Sequence, residues 1–221
     1  MNTNLYAVRS ICTSIMTEAH TGSKFRSLLA KIRKNFQSLD LEIRTKRIKS
    51  LEVNEFYINA FYDSLADQQN ECPIEVIVYH NIDADEFFEH SQVGQFLVQL
   101  YDAVVHELRH QDQGRRRQYL PNPYIVDDNS NTSYLGDPDE IDAYALSIAI
   151  ELIRNLGRTR SIQYLHRASR LANVRPKGLY ASSNLFAYFE TFGYLNHPVI
   201  RKLIKKVFLN LESLDKNAIF Y

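Results

Sequence analysis

Between residues 93 and 108 the apolar positions Val93, Phe96, Leu97, Leu100, Val104 and Leu108 fall at spacings of three and four. That is the period at which one face of an α-helix repeats. A second row at the same spacing, Gln95, Gln99, Asp102, His106, His110 and Gln113, is polar throughout. The two rows predict a long amphipathic helix with Ser91 as a possible cap and Gly114 as its stop, one side packed on a core and the other lining a cleft.

Upstream, Leu5, Val8, Cys12, Ile15 and Met16 predict a first short helix over residues 4 to 18. After the break at Thr21-Gly22-Ser23, Ser23 can cap a second helix running to about Gln37, with Phe25, Leu28, Leu29, Ile32 and Phe36 on one face. Its lysines and arginines then read as a solvated face. From Leu41 the period changes to two: Leu41, Ile43 and Thr45 alternate with Glu42, Arg44 and Lys46. Val53 to Tyr62 is dense in aromatic and β-branched residues, Asp67 to Asn70 reads as a turn, and Ile74 to Tyr79 is the clearest strand. A small antiparallel sheet of three strands is therefore expected ahead of the long helix, followed by an acidic loop from Asn81 to His90.

Downstream, Pro121 to Gly136 is a long loop rich in Pro, Asn, Asp and Ser, of the kind that forms lids and binding loops. Asp137 caps the next helix with Pro138 at its first position. Ile141, Ala145, Ile148, Ala149, Leu152 and Leu156 form its buried face, and Gly157 ends it. Helices over 159–172, 183–195 and 198–214 follow, separated by Arg175 to Gly178 and by Asn196 to Pro198. The order implies an α+β fold in a single domain spanning 1–221. Its parts are an N-terminal helical segment (1–40), a sheet with its helix (41–113) and a helical C-terminal subdomain (137–221).

With 26 basic and 26 acidic residues among 221, no global charge argues for nucleic acid or an anionic membrane. Arg115, Arg116 and Arg117 form a local basic run that could bind phosphate or an acidic peptide. No apolar run is long enough to span a bilayer, and Met1-Asn2-Thr3-Asn4 lacks the basic and apolar regions of a secretory signal, so a cytoplasmic location is expected. Cys12 and Cys72 are too few for a disulfide framework and read as structural thiols.

His106-Glu107-Leu108-Arg109-His110 is the stretch that carries chemistry. Residues four apart lie one above the other on a helix, so His106 and His110 can both offer a nitrogen to one metal ion. Glu107, about 100° around the helix from His106, suits a general base that reaches water without ligating the metal. A catalytic zinc wants a third protein ligand. Glu140 in Glu140-Ile141-Asp142-Ala143 is the choice, with Asp139, Asp142 and a distant histidine as alternatives. Glu140 could instead bond back to the Asp137 cap, or serve only the helix dipole. Asp102, one turn before His106, either orients a ligand histidine or is an exposed helix carboxylate. Tyr144, Tyr134 and His166 are the candidate oxyanion donors.

The motif, followed about thirty positions later by Glu140 to Ala143, resembles the gluzincin type of zincin metallopeptidase. Together with Gln111, Gln113, Tyr134-Leu135 and Pro138 to Ala145 it is similar to small metallopeptidases encoded by tailed bacteriophages. The resemblance covers residues 74–156. It implies a zinc-dependent hydrolase of protein or peptide, with a twisted sheet, an active-site helix and a helical C-terminal part. A phage origin would put the protein in the host cytoplasm or the virion. In such folds an edge strand holds the substrate, and Ile74, Val76 and Val78 would be that strand. The competing readings are a non-catalytic zincin scaffold used for binding or in a virion, and a protease acting on DNA-bound proteins.

Overall fold

The computed structural model describes residues 2–120, 130–170, 181–193 and 196–221, and the chain divides into two compact units. Residues 121–129 of the loop expected over 121–136, and the separator Arg175 to Gly178, lie outside the described residues.

The first unit takes in residues 1–119 with Phe220 and Tyr221. It holds α1 (Asn2–Glu18), β1 (Ser23–Lys24), α2 (Phe25–Phe36), β2 (Leu41–Arg47), β3 (Phe56–Tyr62), α3 (Ser64–Gln68), β4 (Ile74–His80), β5 (Phe87–Phe88) and α4 (His90–Arg116). Its core is the set of faces the periodicity marks: Leu5, Val8, Cys12 and Ile15 of α1, Phe25, Leu28, Ile32 and Phe36 of α2, Leu41 and Ile43 of β2, and Val93, Phe96, Leu97 and Leu100 of α4 are all buried. Ser23 pairs with Phe88 in the two-stranded β1–β5 ladder instead of capping α2. Lys24 stands at that cap without a side-chain capping bond.

The three-stranded sheet has the order β2-β4-β3. β3 pairs antiparallel with β4, as expected, but β2 pairs parallel with it, from Leu41 opposite Ile74 to Arg47 opposite His80. β4 is the most apolar strand, with Ile74, Val76 and Val78 fully buried. It takes the centre, between the two strands that precede it; these run in opposite directions, so one of them pairs parallel with β4. Ile74, Val76 and Val78 therefore lie on no edge: both sides of β4 are occupied by neighbouring strands, and an added substrate strand has nowhere to pair there. β3 is the edge strand that packs on α4.

α4 runs 27 residues and is capped two residues earlier than Ser91 suggests. Glu89 and Gln92 form a capping box, with the Glu89 N–H donating to Gln92 Oε1 at 2.9 Å. Gly114 does not stop the helix. A Cβ at that position would stand 2.6 Å from the Tyr62 hydroxyl of β3, so glycine is there to let the strand's last residue approach. Gly114→Ala is expected to push that hydroxyl off its partner Asp67. The loss of about 1–2 kcal/mol exceeds what alanine gains in a helix interior. A lower urea midpoint at unchanged slope is the readout, and an unchanged midpoint would show that Tyr62 has room to yield.

The second unit, residues 120–219, contains α5 (Asn131–Gly136), α6 (Pro138–Leu156), α7 (Arg158–Arg170), α8 (Ser183–Phe192) and α9 (Pro198–Ser213). α6 is buried almost all round, with Ile141, Ala145, Leu146, Ile148, Ala149, Leu152 and Ile153 in the core and α9 as its main partner. Its ends are as read from the sequence: Asp137 caps it, Pro138 is first, and Gly157 leaves it at a φ of 75°. His197 caps α9 by accepting from the Val199 N–H. α5, a helix of six residues, is not visible as a pattern in the sequence.

Candidate metal centre

The polar row of α4 brings His106 and His110 together. Their Nε2 atoms stand 3.1 Å apart and their rings meet edge to face at 71°. Two nitrogens that bind one zinc tetrahedrally at about 2.05 Å are about 3.3 Å apart. The observed separation is what a shared ion needs, and the donor set of two imidazoles fits zinc. Glu107 is half-buried on the same helix, as are both histidines. One further residue of the row joins His110, and its sequence position alone does not mark it: the Gln113 Oε1 lies 3.0 Å from His110 Nδ1.

The end of α4 that carries His110 is anchored by Asp67, a residue expected only to turn the chain. Its carboxylate accepts from Arg115 Nη2 at 2.7 Å and Nε at 3.0 Å, from Gln111 Nε2 at 3.2 Å, and from the Tyr62 and Tyr119 hydroxyls at 3.1 Å each. Burial pushes its carboxyl up, but the hydrogen bonds from Arg115, Tyr62 and Tyr119 outweigh burial and hold it below the usual aspartate value. Arg116 pairs with Asp112 at 2.8 Å. Two of the three arginines in the basic run are thus held by carboxylates of their own unit, which removes the main support for reading the run as a phosphate site.

In the second unit Glu140 sits in the first turn of α6. Asp137 caps that turn through the Asp139 N–H at 2.7 Å, while its own N–H donates to the Tyr134 carbonyl. The reciprocal bond of a capping box is therefore not the role of Glu140. Its carboxylate is hydrogen-bonded by Tyr134, whose hydroxyl also meets that of Tyr144. The ring of Tyr144 packs edge to face on Tyr134 and on Tyr188, with centroids 6.5 and 5.6 Å away. Nothing in the sequence singles out Tyr188, which lies on α8. It is fully buried, and burial followed by the charge of Glu140 holds its hydroxyl protonated well above the ordinary tyrosine value. Asp142, an alternative third ligand, is paired with Lys206 at 2.5 Å.

His106 and His110 belong to the first unit and Glu140, the expected third ligand, to the second; each is half-buried and carries an atom of a kind that binds a metal ion. Three of the other histidines have local engagements: His80 accepts from the Ile82 N–H, His90 lies 3.2 Å from the Ala19 carbonyl, and His166 packs on Phe208. Asp102 is half-buried, and its charge is felt by Cys12 of α1, whose thiol burial and then Asp102 push up to about 12. That thiol is inert. No helix among the described residues is long and apolar enough to cross a membrane. The chain matches no protein-family model, and no curated protein or solved structure is similar to it.

Proposed function

We propose that the protein is a zinc-dependent metallopeptidase in which His106, His110 and Glu140 bind the metal. The observation that carries this reading is the convergence of the two Nε2 atoms, 3.1 Å apart on one helix. Two imidazole nitrogens at this separation either share an ion or hydrogen-bond to each other, and metal content distinguishes the two. Bound by these residues, zinc would acidify a water toward neutrality and polarise the scissile carbonyl. Glu107 takes the proton of the attacking water on its carboxylate and delivers it to the leaving amine. Tyr144 donates to the developing oxyanion, and Asp102 accepts from the remaining nitrogen of His106. The strand available to an extended peptide is β3, because it is an edge strand and packs on α4.

Metal content of the purified chain tests the ligand set. About one zinc per chain is expected, falling to a small fraction in His106→Ala and in Glu140→Ala. Zinc retained in full by Glu140→Ala would move the third ligand elsewhere. A wild-type chain that takes up no zinc would overturn the reading.

A further inference from the structure

We infer that Gln113 is a positioning residue of the metal site, fixing His110 in the tautomer that presents Nε2 to the ion. The inference rests on the metal-site reading above. His110 Nδ1 is 3.0 Å from Gln113 Oε1, and an amide oxygen carries no proton. The hydrogen of that contact must therefore sit on Nδ1. A neutral imidazole has one N–H, so Nε2 keeps its lone pair, and Nε2 is the atom that faces His106 at 3.1 Å.

The position of Gln113 makes this bond hard to replace. It lies three residues beyond His110 on the same helix, where side chains meet across one turn. At 8% exposure it is sheltered from water, which would otherwise compete for Nδ1. The anchored end of α4 reinforces it: Gln111 and Arg115, on either side, are both tied to Asp67. A ring held in this way needs no reorientation before it binds a metal, and its Nε2 is made more electron-donating by the bond at Nδ1.

The tautomer can be read directly. In a long-range 1H–15N spectrum of the full-length chain without metal, His110 is expected to show a protonated Nδ1. Gln113→Leu should lose that preference, Gln113→Asn should lose it because its amide is withdrawn by one methylene, and Gln113→Glu should keep it. Zinc affinity, measured by chelator competition, should fall about 10- to 100-fold in Gln113→Leu and Gln113→Asn and recover in Gln113→Glu. The cobalt-substituted protein should show altered visible bands in the two weakened variants alone. A helix merely destabilised by the substitution would not switch the His110 tautomer or be restored by glutamate. Wild-type tautomer and affinity in Gln113→Leu would overturn the inference and leave the metal site standing. Absence of zinc binding by the wild type would instead sink the metal site, while the spectrum would still judge the bond between Gln113 and His110. If Gln113→Leu does not fold, Gln113→Asn and Gln113→Glu carry the same comparison.

Discussion

Glu107→Gln is expected to abolish peptide hydrolysis while the chain still takes up about one zinc. Glutamine has nearly the shape of glutamate, so helix α4 and the approach of His106 and His110 are preserved. What it lacks is a basic oxygen. If the carboxylate carries the proton from water to the leaving amine, its removal costs about 10²- to 10⁴-fold in turnover. The loss should appear in kcat, since a group that acts on the proton in flight has little to do with holding substrate. Full activity with zinc bound would exclude hydrolysis through this residue. A variant that loses zinc along with activity would make Glu107 part of the ligand set, contrary to its place on the helix.

The helix that carries these residues was legible because two rows at one period, one apolar and one polar, leave no other regular structure to choose. His106 and His110 follow from four-residue spacing, and Glu107 from its place beside them in the motif. The start and end of α6 were legible for a similar reason: Asp137, Pro138 and Gly157 each have a backbone preference that acts locally. Where partners come from far along the chain, the sequence was mute. The alternation of Ile74, Val76 and Val78 specifies a buried face but not which strands flank it, so the central place of β4 was not readable. Gly114 looked like a helix stop because glycine usually is one, yet its missing side chain serves Tyr62, a residue of β3. Gln113 belonged to the polar row from the start. Its role as an acceptor depends on which nitrogen of His110 it meets, a matter of geometry within a single turn.

Asp67→Ala is expected to be the most damaging substitution outside the metal site, because one carboxylate serves four side chains. Its removal strands Gln111, which is buried, together with the hydroxyls of Tyr62 and Tyr119 and the guanidinium of Arg115. Breaking a buried pair by deleting one partner costs about 3–5 kcal/mol, and the lower end applies here because the Arg115 side chain is 54% exposed and water can take it up. A loss of roughly 3 kcal/mol should lower the midpoint of thermal unfolding by on the order of 10 °C. Acid should reproduce part of the effect in the wild type. The folded carboxyl is held below its unfolded value of about 3.9, so its contribution is complete above that pH and fades as pH falls through the folded value. Asp67→Asn should therefore be less stable than the wild type at neutral pH and lose less on acidification below about pH 4. Equal acid sensitivity in the two chains would mean that the hydrogen bonds from Arg115, Tyr62 and Tyr119 do not stabilise the charged form. Because Gln111 lies beside His110 on α4, Asp67→Ala should also weaken zinc binding even where the chain remains folded. Stability and metal affinity would then fall together here, whereas Gln113→Leu acts mainly on the metal.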